Sequence, residues 1–353
     1  MKNFFSLQIK PVGSFCNLSC KYCYVNPFKT GSLEIMGENI WKKIIKECLN
    51  INPEPVITWH GGEAMIAGLD FYRKVYDFVE LNKKTGQKVR QVIQTNATLV
   101  TEEFASFFKK ARFEIGVSID GPEHIHDMNR INLNGSGSFK SVMNGLKILR
   151  IAGLDPSVIV TVTSDTLRFS SEVFKFLVAQ KFKSIKYSPV FDYSSNAFSI
   201  TNEQWFHYLS IVLDEWVTNG DADISVLDLD EVIAWLDPNR SHPMCSSSQT
   251  CMRWVSIDPN GNMYPCAYFR SSLPYGNIIT SSLKDVKNCQ EYLRFKELFR
   301  DQPKKCRECE FFKVCGNGCP AIRVTGNQMD PKGVYVYCEE RKKLFKKMRD
   351  SFS

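Results

Sequence analysis

Apolar and polar positions follow two rhythms along the first half of the chain. Short apolar runs of strand length fall at residues 5–12, 55–60, 90–95, 113–119, 157–163 and 184–189. Between them, over about 38–50, 69–84, 101–110, 138–152 and 166–180, apolar residues recur every three or four positions, which lines one face of a helix. Strands alternating with helices of this length predict a parallel sheet with right-handed crossovers. Six such units are too few for a closed eight-unit barrel, so the expected fold is α/β, an open partial (β/α)6 barrel. Ligands of such folds collect at the C-terminal ends of the strands.

The second half reads differently. Residues 201–236 predict a helical bridge, with Trp205, Leu209, Val212, Leu213 and Trp216 at helical spacing, a stripe expected to pack in the core. From 245 to 338 come cysteines, Gly/Pro turns and short strand-like runs at 254–257 and 262–264. A small region with so little regular core needs staples, and metal is the expected kind. The expected division is therefore 1–200 for the barrel, 201–240 for the bridge, and 241–353 for the cysteine-rich domain with its terminal helix.

Composition adds limits. The chain has 353 residues, 43% hydrophobic and 24% charged, ordinary for a soluble globular protein and enough for a large domain plus a smaller one. No apolar run approaches the roughly 20 residues that span a bilayer, and the first residues carry no signal-peptide pattern. A cytoplasmic protein without a membrane partner is expected. Net charge is +7, and the basic group Arg341, Lys342, Lys343, Lys346 and Lys347 reads as the solvated face of a terminal helix, so no nucleic-acid partner is expected.

The thirteen cysteines change the picture more. In a reducing compartment dense cysteines point to metal or catalysis rather than disulfides. Cys48 and Cys289 stand outside any motif and read as ordinary core or surface residues. Cys16, Cys20 and Cys23, spaced C-x3-C-x2-C, follow the first predicted strand. Three thiolates on one loop can hold three irons of a cubane cluster and leave the fourth open to a ligand. A zinc site is the alternative for a C-x2-C pair, although three cysteines with no fourth nearby fit it poorly. Farther on, Cys245, Cys251, Cys266, Cys306, Cys309, Cys315, Cys319 and Cys338 suit two four-cysteine clusters or two zinc sites, and spacing leaves that choice open.

The loop Cys16–Cys23 resembles the signature of radical S-adenosylmethionine (SAM) enzymes. The resemblance implies a [4Fe-4S] cluster on the three thiols, with SAM chelating the open iron. Reductive cleavage of the cofactor then gives a 5′-deoxyadenosyl radical that takes a hydrogen atom from the substrate. Tyr22 falls at the family's aromatic position beside the adenine. His60-Gly61-Gly62-Glu63, after the second strand, matches the Gly-Gly-Glu turn that meets the cofactor's amino group, where glycine lets backbone come close. Asn96, in Gln94-Thr95-Asn96, then Ser118 and Asp120, in Ser118-Ile119-Asp120-Gly121-Pro122, and Arg130 resemble segments bordering the ribose and carboxylate; the plainer alternative is turn and cap residues. The later cysteines resemble the SPASM domain that follows the radical SAM barrel in enzymes acting on peptides and proteins. That resemblance implies a nearer auxiliary cluster on Cys245, Cys251, Cys266 and Cys319 and a farther one on Cys306, Cys309, Cys315 and Cys338. SAM and three [4Fe-4S] clusters are the expected cofactors.

Two architectures share these features. Anaerobic sulfatase-maturating enzymes, which oxidise a Cys or Ser to formylglycine, have a similar "LQIKP" strand and "SIDGP" segment. They carry Asp as a base directly after the third cysteine of the nearer auxiliary cluster, where this chain has Ala267, which cannot accept a proton. They usually carry Gln where this chain has His60. These departures make a maturase that crosslinks side chains of a ribosomal precursor peptide, as in cyclophane formation, the expected function. His60, Tyr24 and Asp192 are the candidate catalytic residues, and a donor such as flavodoxin or ferredoxin is the expected electron source. Sulfatase maturation is the alternative, and a non-catalytic metal-binding regulator a second one. The chain enters its first strand at once, so no leader-gripping winged-helix module is expected ahead of it; leader recognition would fall to the bridge, the barrel mouth or a separate protein, unless no leader is needed.

Overall fold

The structure, a computed structural model, describes residues 5–23, 32–190, 197–221, 223–236, 250–270, 272–325 and 328–351. In chain order its strands are β1 (Ser6–Ile9), β2 (Val56–Trp59), β3 (Arg90–Thr95), β4 (Glu114–Ser118), β5 (Ser157–Val162), β6 (Ser184–Pro189), β7 (Ser225–Val226), β8 (Trp254–Ile257), β9 (Asn262–Tyr264), β10 (Gly276–Asn277), β11 (Arg323–Thr325), β12 (Gln328–Met329) and β13 (Val334–Tyr335). The first helices are α1 (Glu38–Ile51), α2 (Leu69–Asn82), α3 (Glu102–Lys110), α4 (Glu123–Asn129), α5 (Phe139–Ile151) and α6 (Ser170–Ala179). They are followed by α7 (Asn202–Asn219), α8 (Leu227–Leu236), α9 (Gln290–Arg300), α10 (Lys304–Arg307), α11 (Phe312–Cys315) and α12 (Cys338–Ser351). The chain forms two compact units: Met1–Ser118, Arg130–Pro156 and Met252–Phe295 make the first, and Ile119–Asn129, Ser157–Cys251 and Lys296–Ser353 the second.

In the first unit β1 to β4 lie side by side and parallel, with Leu7 opposite Ile57, Thr58 opposite Val92 and Ile93 opposite Ile115. This is the α/β pattern that the alternation predicts. The apolar stripe of α1 (Trp41, Ile44, Ile45, Cys48, Leu49) is buried, and Trp41 meets Phe71 and Phe78 of α2 edge-on at 6.1 and 5.6 Å. The Thr101 hydroxyl caps α3 by accepting from the Phe104 amide at 3.3 Å. One addition was not legible from the pattern: β8, within the cysteine-rich stretch, pairs in parallel with β1, Leu7 opposite Val255, and β9 and β10 continue antiparallel.

In the second unit β5, β6 and β7 are parallel. The expected bridge is α7, β7 and α8, so its middle supplies a strand as well as two helices. A capping box of Thr201 and Gln204 starts α7. Trp205, Leu209, Val212 and Leu213 are buried as the stripe predicts, while Trp216 is half-buried and donates its indole N–H to the Ile224 carbonyl at 2.9 Å. Helix α12 is tied to α7 by Lys347, which donates to Asp214 at 2.8 Å and to the Ser210 carbonyl at 3.2 Å. No helix among the described residues is long and apolar enough to cross a membrane.

Gly145, within α5, faces the turn after β3: a Cβ there would lie 2.0 Å from the Ala97 carbonyl oxygen. The helix-propensity gain of Gly→Ala, at most about 1 kcal/mol, is smaller than the cost of pushing backbone apart, about 1–3 kcal/mol. Gly145→Ala is therefore expected to lower the melting temperature, read by circular dichroism.

Candidate active site

Past β1 the chain turns twice, the Gly13 amide donating to the Lys10 carbonyl at 3.2 Å and the Phe15 amide to Val12 at 3.0 Å, with Gly13 at φ +59°. The cysteine loop is then pinned by the Ser19 amide on the Ile131 carbonyl at 2.8 Å. Around Cys16, the Leu18 amide points at Sγ from 3.4 Å and the Asn96 Nδ2 from 3.8 Å. Burial pushes the Cys16 thiol up to about 11, and the charges of Glu63, Cys20 and Cys23 add to the shift.

The turn after β2 presses on this loop. The Gly62 amide donates to the Gly13 carbonyl and the Glu63 amide to the Phe15 carbonyl, both at 2.8 Å. A Cβ on Gly62 would stand 1.9 Å from the Phe15 oxygen, and one on Gly61, at φ +120°, 2.5 Å from the Gly13 oxygen. The buried Glu63 carboxylate accepts from the Met65 amide (3.0 Å), the Thr95 hydroxyl (2.8 Å) and the Asn96 amide (2.7 Å). Its pKa is raised, burial outweighing those hydrogen bonds and the charge of Arg130.

The other candidate SAM residues divide between the units. Asn96 donates to the Asn17 side chain at 3.0 Å, and its own oxygen accepts from Thr98. Arg130 donates to the Tyr22 hydroxyl at 2.6 Å, and Ser118 accepts from Gln94 at 3.0 Å. Asp120 lies in the second unit, where its carboxylate accepts from the Thr161 amide at 2.8 Å. Of the catalytic candidates, His60 is held at the end of β2: its amide donates to the Ile9 carbonyl at 2.9 Å, and its Nδ1 accepts from the Gly61 amide at 2.6 Å. Burial first, then the charge of Lys10, lowers its pKa to about 4, which leaves the ring neutral at neutral pH. Tyr24 and Asp192 lie outside the described residues.

Beside His60 is a buried group the motifs did not reveal. Lys10 Nζ donates to the Tyr264 hydroxyl at 2.9 Å, that hydroxyl donates to Asp258, and Arg270 pairs with the other Asp258 oxygen at 2.6 Å. Burial lowers the pKa of Lys10, and among the charges it feels is Cys266. A lysine directly after Phe5, Leu7 and Ile9, in a run that ends on Val12, was the available signal.

Of the later cysteines, Cys306, Cys309, Cys315 and Cys338 line one pocket with Phe311 and Tyr335. Cys251 and Cys319 belong to the same unit and Cys266 to the other, while Cys245 lies outside the described residues. Cys48 is buried in α1 and Cys289 half-buried. Among the described residues no cysteine is in a disulfide, and no three His, Cys, Asp or Glu side chains gather as round a single metal ion. The donor sets are all thiol, one on a tight loop and one round a pocket, and this chemistry fits iron-sulfur clusters.

Two family models match, the radical SAM superfamily over residues 11–168 and the SPASM iron-sulfur cluster-binding domain over 245–310. The chain is a radical SAM enzyme with a C-terminal SPASM domain, and its cofactors are SAM and [4Fe-4S] clusters. It is 29% identical to the serine-type anaerobic sulfatase-maturating enzyme of Bacteroides thetaiotaomicron, over 94% of this chain and 86% of that one. It is 28% identical to the cysteine-type enzyme of Clostridium novyi, over 97% and 94%. The structure of native anSMEcpe with bound AdoMet and a peptide superimposes with TM-score 0.86 at 25% identity, covering 98% of both chains. Streptococcus suis SuiB bound to its precursor peptide, TM-score 0.69 at 16% identity, shares the fold only.

These relatives overturn the expected peptide crosslinking. That expectation rested on His60 and Ala267, two local departures, and an end-to-end likeness to sulfatase maturases outweighs them.

Because Gly62 lies against loop backbone, Gly62→Ala is expected to displace the Cys16–Cys23 loop. Iron and sulfide content of the reconstituted variant should fall by the share of one cluster, with SAM cleavage abolished.

Proposed function

We propose that this enzyme oxidises a cysteine or serine of a sulfatase-type protein to formylglycine. The observation that carries this reading is the near-complete coverage by sulfatase-maturating relatives of both the cysteine and the serine type. SAM and the clusters supply hydrogen-atom abstraction and an electron sink. The rest is proton chemistry: the substrate loses a hydrogen atom from Cβ, a proton from its S–H or O–H and one electron, and a C=S or C=O bond forms. The thioaldehyde from cysteine then exchanges with water and releases hydrogen sulfide.

The proton needs an acceptor, and Ala267 is not one. We assign it to His60, which stands at the strand end beside the Gly-Gly-Glu turn and stays neutral at neutral pH. With Nδ1 accepting from Gly61, Nε2 is the nitrogen left for substrate. Tyr22, Gly61, Gly62, Glu63, Asn96, Ser118, Asp120 and Arg130 are the proposed SAM-site residues, and the electron donor is proposed to be a flavodoxin or ferredoxin.

Incubation with a peptide carrying a sulfatase modification sequence, in Cys and Ser forms, is expected to yield an aldehyde that a hydrazide captures. Release of 5′-deoxyadenosine with no aldehyde from either peptide would overturn the function.

His60→Gln should cut aldehyde formation by about 100-fold or more, the lower range for a positioned base, while SAM cleavage continues. Adding Ala267→Asp to that variant should recover product. Unchanged aldehyde yield in His60→Gln would remove His60 as the base.

A further inference from the structure

The pocket of Cys306, Cys309, Cys315 and Cys338 lies within the second unit and is also lined by three cations, Lys305, Arg341 and Lys342. Two of them face a carboxylate: Glu339 stands 2.5 Å from Lys305 and 3.7 Å from Lys342. Arg341 reaches a sulfur instead, its Nη1 donating to Cys315 Sγ from 3.9 Å.

The guanidinium is held in that place by its surroundings. Arg341 follows Cys338, the first residue of α12, by three positions, so the two lie on one face of the helix. Its guanidinium is 5.3 Å from the centre of the Tyr335 ring and 5.4 Å from that of Phe345, within the range of cation–π attraction. Both rings are buried and fixed. The Tyr335 amide donates to the Asn317 side chain at 2.8 Å, and its ring fills the space of a Cβ on Gly318, 2.2 Å away. Phe345 meets Phe311 edge-on at 5.3 Å. A planar donor set between two rings loses little freedom when it binds sulfur.

A protonated thiol is a weak acceptor. Metal binding removes the thiol proton, and a thiolate draws a charged N–H donor more strongly. Hydrogen bonds to the sulfurs are one of the protein's controls on a cluster's potential. Such a bond stabilises the reduced state more than the oxidised one, because the added electron makes the cluster more negative.

We propose that Arg341 is a positioning residue for the cluster of this pocket, whose N–H···S bond to Cys315 raises that cluster's reduction potential. The assignment rests on the four cysteines of the pocket holding one cluster, and it holds for any substrate.

The test is an anaerobic redox titration followed by electron paramagnetic resonance, on the full chain carrying Cys16→Ala, Cys20→Ala and Cys23→Ala so that only auxiliary signals remain. Arg341→Met removes the charge and the donor and keeps an apolar stem. It should lower one auxiliary couple by about tenfold in the reduction equilibrium, or ~59 mV for one electron, and leave the other in place. Arg341→Lys, which keeps a charged N–H donor, should stay within about threefold of the parent. The couple that moves should be the one that Cys309→Ser removes. Unchanged couples in Arg341→Met would overturn the proposal, as would equal shifts of both couples or movement of the couple that Cys309→Ser leaves. If Arg341→Met does not load the pocket's cluster, Arg341→Lys carries the test: parent iron content with a couple within about threefold supports the proposal, and loss of that iron or a larger fall overturns it.

Discussion

The contact between the Gly61-Gly62 turn and the cysteine loop is the constraint on which the rest of the first unit depends. Two amides of that turn satisfy the Gly13 and Phe15 carbonyls at 2.8 Å, and there is no room for a Cβ on Gly62. Backbone therefore meets backbone, and the loop after β1 is set by the turn after β2. Glu63 extends the same lock to β3, since its carboxylate holds the amide of Asn96, whose side chain reaches Asn17 and Cys16. A single path of hydrogen bonds thus sets the ends of three neighbouring strands and aims a cluster thiol. Glu63 is buried for this purpose, and its carboxylate is spent on the protein's own amides.

What was legible in the sequence was whatever is encoded locally. The strand–helix alternation of the barrel, the stripe of α7 and the loop Cys16–Cys23 each lie within a few consecutive turns or strands, so period and spacing disclose them. Pairing across long separations was not legible. β8 joins β1 with Leu7 opposite Val255, and nothing in the pattern of either run names its partner. The Lys10–Tyr264–Asp258–Arg270 group was hidden for the same reason, although a lysine in the run from Phe5 to Val12 marked one of its members. Asp120, which the resemblance sets near the cofactor, accepts from the Thr161 amide, a contact that spacing cannot foretell. The function went astray differently: two positions were weighed above the likeness of the whole chain, and a single side chain can change while the reaction stays.

Both units bury cations: Lys186 pairs with Asp228 in the second unit, and the first unit holds Lys10. Lys10 and Arg270 share Asp258, so one carboxylate offsets one of their two charges within the first unit. Arg323, in the second unit, donates to the carbonyls of Asn317, Leu298, Pro331 and Gly318.

Lys10 also bears on the base proposed at His60, since position 267 holds alanine. It lowers the His60 pKa and itself feels Cys266, the residue before Ala267. His60 and the segment at 266–267 therefore lie in the field of one buried lysine within one unit. A cation there opposes a proton on the neighbouring imidazole and so keeps it ready as an acceptor; the same cation would hold a carboxylate at 267 ionised. Either residue type would be in its proton-accepting form there, one because it is kept neutral and the other because it is kept charged. The base proposed at His60 would therefore need no electrostatics beyond what burial and Lys10 supply.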